Sequence, residues 1–185
     1  LADFHESFDN GVGKLNHAWG NIDTSVDGQV TLRGYTGIME RPYGAAAGHG
    51  YGTYEITAAL KGNEAGSAAL LWPGNDQWPG QELDFVEIRN GKPYGAAHHE
   101  KSNGGDGYRI VNYNIDESDV HTYKIEWEPG KITYSVDGRK YAEFNKNVTP
   151  DHANGGVDLV FGALNNNPDT SITVYDVKYT DDVWG

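Results

Sequence analysis

Apolar side chains alternate with polar ones, at a period of two, in six stretches of this chain: "GQVTLRG", "GTYEITAAL", "ELDFVEI", "HTYKIEWEPGKITYSVDGRKYAEF", "VDLVFGAL" and "TSITVYDVKY". Successive side chains of an extended strand point to opposite faces, so this period marks strands with one buried face. Asp27-Gly28 and Asp137-Gly138 sit where tight turns need the positive φ that glycine tolerates, and Pro129-Gly130 marks another bend. No segment sustains a period of 3.6 residues with caps at both ends. The pattern predicts an all-β protein, and many strands at short spacing favour a two-sheet antiparallel β-sandwich over an open sheet. Its 185 residues suit one domain, and no composition break, linker or internal repeat divides them.

Several functional classes are excluded early. The chain has no cysteine, so no disulfide framework exists, and its apolar stretches are too short to cross a bilayer as helices. A formal net charge of -13 argues against nucleic-acid and anionic-membrane partners, whose phosphates would be repelled. Acidic side chains offer hard oxygen ligands for calcium, yet no Asp-rich loop has EF-hand spacing. No leader pattern is present at Leu1, which fits a cytoplasmic chain or a secreted one whose signal peptide has been removed.

The run "WPGQELDFVEI", residues 78–88, carries Glu82, Asp84 and Glu87 inside what otherwise reads as a buried strand. Strict alternation would split these carboxylates between faces. One extra residue near Val86, as in a β-bulge, puts Glu82, Asp84 and Glu87 on one face and Leu83, Phe85 and Ile88 on the other. The charged and apolar sets slip phase together. Like charges along one strand face repel, so an ordinary solvated strand gains nothing from the arrangement. The outer pair has Cα atoms about 13 Å apart, and side chains leaning inward can approach the roughly 5 to 5.5 Å used by a retaining glycosidase. Asp84 between them would hold the local charge so that one outer carboxyl stays protonated near neutral pH.

These residues resemble the active-site signature of glycoside hydrolase family 16, Glu-x-Asp-x-x-Glu in its bulged, laminarinase- or lichenase-like form, introduced by Trp-Pro. "FDNG" at 8–11, "YGTYEI" at 51–56 and "HTYKIEWEPGKITYSVDG" at 121–138 are similar to further family segments in the same order. The resemblance implies a single catalytic domain over residues 1–185, folded as a concanavalin-like jelly roll with a concave cleft. It implies endo-acting hydrolysis of internal β-glycosidic bonds with retention: Glu82 as nucleophile, Glu87 as general acid/base and Asp84 as the assisting carboxylate. No cofactor is needed for that chemistry. A polysaccharide is the expected partner, a β-glucan or a bacterial exopolysaccharide, and the protein is expected to be an extracellular monomer.

Trp72 and Trp78 flank a short polar loop and match family positions near the cleft, where an indole can cover the flat C–H face of a sugar. Packing within the sandwich is the competing expectation for both, and for Trp127 it is the preferred one. "YGAAHHEK", residues 94–101, should pair with the signature strand and turn His98 toward the cleft and His99 away. Asp176 matches a position where family members hold a structural calcium, so calcium is an expected structural ion there. The glycine-rich "KSNGGDGY" and "DHANGG" are the expected rims of an open cleft. Three rival readings remain on the same sequence: a non-catalytic carbohydrate-binding sandwich, a polysaccharide lyase, and a calcium site formed by Glu82, Asp84 and Glu87.

Overall fold

A computed structural model describes residues 3–182. The described residues form thirteen strands: β1 (Phe4–Glu6), β2 (His17–Trp19), β3 (Ile22–Asp23), β4 (Val30–Met39), β5 (Gly52–Lys61), β6 (Ser67–Pro73), β7 (Glu82–Arg89), β8 (Lys92–Glu100), β9 (Asp106–Asn112), β10 (His121–Glu128), β11 (Lys131–Val136), β12 (Arg139–Phe144) and β13 (Leu159–Thr180). One 3-10 turn, His152–Asn154, is the only helical element among the described residues. The all-β expectation holds, and every pairing is antiparallel.

Two layers are present, and β13 runs through both. Its first half pairs with β6, which leads to β7, β8 and β9; its second half pairs with β5, which leads to β10, β11 and β12. β4 follows β13 along its other side with a shift of register between Asn167 and Ser171, and β2 and β3 lie beyond β4. The separate runs "VDLVFGAL" and "TSITVYDVKY" are thus one strand. The polar residues between them look like a loop in sequence, yet Asn165 is fully buried. Its amide donates to the carbonyls of Gly34, Asn167 and Thr170, and its side-chain oxygen accepts from Ser67 and Thr170. A buried amide satisfied at both ends costs little to bury, and it lets the strand bend from one layer to the other without losing backbone partners.

Between the layers lies one apolar core that includes Tyr54, Ile56, Tyr123, Ile125 and Trp127 from one sheet, and Leu71, Leu83, Phe85, Ile88 and Phe161 from the other. Trp127 is fully buried and its indole N–H donates to the Thr149 carbonyl at 2.9 Å, as the core reading requires. Two hairpin turns use positive φ at consecutive residues: Asn90-Gly91 between β7 and β8 (51° and 71°), and Asp137-Gly138 between β11 and β12 (50° and 81°). Such turns match the twist of the strands they join, and the first fixes the register of β8 against the signature strand.

Candidate active site

The bulge falls where the phase of the sequence places it. Along β7, Asp84 stands opposite Ala96 of β8 and Glu87 opposite Tyr94, so two residues, Phe85 and Val86, face only Gly95. Against β6 the same slip appears between Leu70↔Asp84 and Ala69↔Val86. A bulge leaves a backbone group without its ladder partner; the buried Tyr113 hydroxyl donates to the Phe85 carbonyl at 2.8 Å. Tyr134 of β11 likewise donates to Ala96 at 2.6 Å. Both tyrosines need Gly95, because a Cβ there would stand 2.5 Å from the Tyr113 hydroxyl and 3.0 Å from the Tyr134 ring. Tyr113, just past β9, thus holds the bulge of the strand that carries the carboxylates, and Tyr134 from the opposite layer holds β8 beside it.

Glu82, Asp84 and Glu87 all leave β7 on its outer face. Glu82 and Glu87 line two adjoining cavities of about 300 and 350 Å³, and a third of about 500 Å³ continues past Arg89 and Tyr94. Together these form a groove crossing the strands of the curved sheet. Trp72 lines it on one side of the carboxylates, held by its indole N–H to Asp76 at 2.7 Å. Trp78, half exposed, lines it on the other and donates to Glu82 Oε2 at 2.7 Å. Neither tryptophan is in the core.

Asp84 is wholly buried, and neither of its oxygens accepts an aligned hydrogen bond from an N–H or hydroxyl. His98 Nε2 approaches Oδ2 at 3.0 Å, at ion-pair distance. Its contacts with Glu82 and Glu87 are carboxyl to carboxyl and bind only through a proton. Burial drives the Asp84 carboxyl well above its usual range. Burial, then Asp84, raises Glu82 to about 8, and burial followed by the Glu82 charge raises Glu87. Three carboxyls this close, one buried and two half-buried, resist ionising together. Asp84 and Glu82 share a proton across their hydrogen bond: that contact raises Glu82 and lowers Asp84, while the Trp78 indole stabilises charge on Glu82. At Glu87, hydrogen bonds from the Tyr94 hydroxyl and Asp84 oppose the rise.

His98 faces the groove as expected, opposite Glu82 in the ladder, while His99 lies among Gln81, Glu100 and Asn147 on another surface. The sequence reading missed Asp106, whose carboxylate oxygens lie 2.9 and 3.2 Å from His98 Nδ1. That contact makes Nδ1 the N–H donor and turns Nε2 toward Asp84. Only the hairpin register of β8 with β9, which sets Glu100 opposite Asp106, brings the two together. "KSNGGDGY" does form the β8–β9 turn beside the groove. "DHANGG" instead forms the 3-10 turn, where Asp151 accepts from the Tyr51 N–H, and it lines none of the three cavities.

Asp176 lies away from this groove, in β13, with Oδ1 2.6 Å from His5 Nε2 of β1. Calcium takes about six to eight oxygen ligands, and a carboxylate already engaged by an imidazole does not fit that donor set. Among the described residues the grouping of three or more His, Asp and Glu able to converge on a metal is Glu82, Asp84 and His98, with ligand atoms within 4.8 Å of one another.

Known proteins share this arrangement of strands. The family model for glycosyl hydrolases family 16 matches residues 21–171, so the chain belongs to that family of glycan-cleaving enzymes. A β-glucanase of Paenibacillus polymyxa is 29% identical over 188 residues, covering 90% of this chain and 77% of its own length. A xyloglucan endotransglucosylase of Diospyros kaki is 29% identical over 149 residues, which are 70% of this chain. The chain spans 55% of that plant protein and 31% of a probable xyloglucan endotransglucosylase/hydrolase of Arabidopsis thaliana. The structure of the Bacillus licheniformis β-glucanase superposes with a TM-score of 0.66 at 18% identity, covering 98% of this chain and 99% of that one, a likeness of fold.

Proposed function

We propose that this protein is a retaining endo-hydrolase of β-glucans, with Glu82 as nucleophile, Glu87 as general acid/base and Asp84 as the assisting carboxylate. The observation that carries this reading is the bulge at Phe85 and Val86, which brings one buried and two half-buried carboxyls of one strand to a single groove. A binding module needs aromatic platforms but has no use for three carboxyls held at that energetic cost.

With Asp84 protonated, Glu82 keeps its charge and attacks the anomeric carbon; Glu87, kept protonated by burial, gives its proton to the leaving oxygen. Glu87 then takes a proton from water, which releases the sugar from Glu82. His98 and Asp106 hold that side of the triad. Trp72 and Trp78 cover sugar faces on either side of the reacting bond.

Internal attack follows from the groove, which continues beyond the carboxylates on both sides. The β-glucan assignment rests on the β-glucanases among the relatives. A polymer of that kind is too large to enter a cell, so the site of action is extracellular, and one chain carries the whole carboxylate set, so a monomer suffices. The test is a panel of mixed-linkage and β-1,3-glucans, xyloglucan, agar, carrageenan and acidic exopolysaccharides, assayed for new reducing ends with the wild type and Glu82→Gln. Release from a β-glucan by the wild type alone supports the proposal. Products absorbing in the ultraviolet would make it a lyase, and no release from any polymer would refute it.

A further inference from the structure

The ladder of the curved sheet carries a second feature that the carboxylate motif does not use. Read across the strands, Glu87 of β7 stands opposite Ala68 of β6, Ala68 opposite Leu164 of β13, Leu164 opposite Gly37 of β4, and Gly37 opposite Trp19 of β2. Ile38 points into the core, so its neighbours Gly37 and Met39 point to the groove face, and Met39 lines the cavity shared with Glu82 and Glu87. The six-membered ring of Trp19 occupies the space where a side chain at position 37 would stand: a Cβ on Gly37 would meet its atoms at 2.0 to 2.5 Å. The ring therefore rests on the same face as the carboxylates. Trp19 is nevertheless 37% exposed, although it is a large aromatic on an edge strand, and the His17 ring lies 6.0 Å from it. Four strand spacings of about 4.8 Å separate β2 from β7, so the indole stands about 19 Å from the Glu87 strand along the groove direction.

We propose that Trp19, seated on Gly37, is a distal sugar-binding platform that holds a neutral β-linked glycan several residues away from the bond being cleaved. The proposal rests on the hydrolase reading above for its ligand. An exposed indole on the line of the groove offers an apolar face to the C–H side of a hexose, and the glycine beneath it keeps that face at the level of the sheet. Its function is length selection: a chain long enough to reach β2 gains a contact that a short one lacks.

The experiment compares Trp19→Ala with the wild type on a soluble β-glucan polymer and on short oligosaccharides of the same linkage that occupy only the sites around Glu82 and Glu87. The expected result is a fall of about tenfold in kcat/KM on the polymer, carried by KM, corresponding to about 1.4 kcal/mol of lost stacking. The short substrates are expected to be unaffected, and Trp19→Phe is expected to keep most of the polymer activity. An unchanged polymer KM in a folded Trp19→Ala protein, or an equal loss on both substrates, would overturn the proposal. If the wild type cleaves no glucan, the hydrolase reading fails, and native gel electrophoresis through β-glucan decides the platform separately. Retardation lost in Trp19→Ala supports it, and retardation that is absent or unchanged overturns it.

Discussion

Burial of the Glu82–Asp84 pair should make the fold lose stability as pH rises. A carboxyl whose pKa is raised by folding keeps its proton in the native state after the unfolded chain has released it. Its contribution is therefore full below the unfolded value, and it falls as pH climbs toward the folded one. For the proton shared by Glu82 and Asp84 that window runs from an ordinary 4.5 to about 8. Each unit is about 1.4 kcal/mol per proton, so the pair costs about 4 kcal/mol between pH 5 and pH 8. That is a large share of the roughly 5 to 15 kcal/mol stabilising a typical domain. The double variant Glu82→Gln/Asp84→Asn keeps the shapes and removes the titration. Urea unfolding followed by tryptophan fluorescence should give near-equal stabilities for the two proteins at pH 5. At pH 8.5 the variant should be the more stable by several kcal/mol. A stability difference that is the same at both pH values would refute the shared-proton description of the site.

Other outcomes follow from single contacts. Tyr113→Phe removes the donor to the Phe85 carbonyl and should cost about 1 to 3 kcal/mol in unfolding free energy, because a buried acceptor at the bulge is left unpaired. Asp106→Asn should lower kcat more than it raises KM and shift the pH profile of kcat, since it alters the partner that orients His98, while its melting temperature stays near that of the wild type. Chelator should leave both reducing-end release and the melting temperature unchanged. Loss of activity would favour a metal held by Glu82, Asp84 and His98, and loss of stability alone would restore a structural calcium.

Much of the scaffold was legible because it is written locally. Alternation in the strands and the Asn-Gly and Asp-Gly turns depend on neighbouring residues, and so does the joint phase slip of Leu83, Phe85 and Ile88 with Glu82, Asp84 and Glu87. The bulge could be read for that reason, and so could the facing of His98. What the sequence hid is made by residues far apart in it. The hydroxyl of Tyr113 meets a bulge carbonyl 28 positions away, and Asn165 is satisfied by groups from β4 and β6. Without that network in view, the Asn-rich stretch of β13 reads as a loop. Trp19 sits in a strand of three residues whose alternation is too short to detect, and its place on the groove follows only from pairing with Gly37. Asp176 shows the opposite case, where a position matching a metal ligand is engaged by His5, which the local sequence does not reveal.

The central claim is that Glu82 and Glu87 carry out a double displacement on a β-glucan. Proton nuclear magnetic resonance of the first sugar anomer released by the wild-type protein from mixed-linkage β-glucan tests it most directly. Early appearance of the β-anomer, followed by slow mutarotation, is the result expected of retention through a glycosyl–Glu82 intermediate. First release of the α-anomer would mean that water attacks directly and that Glu82 is not the nucleophile.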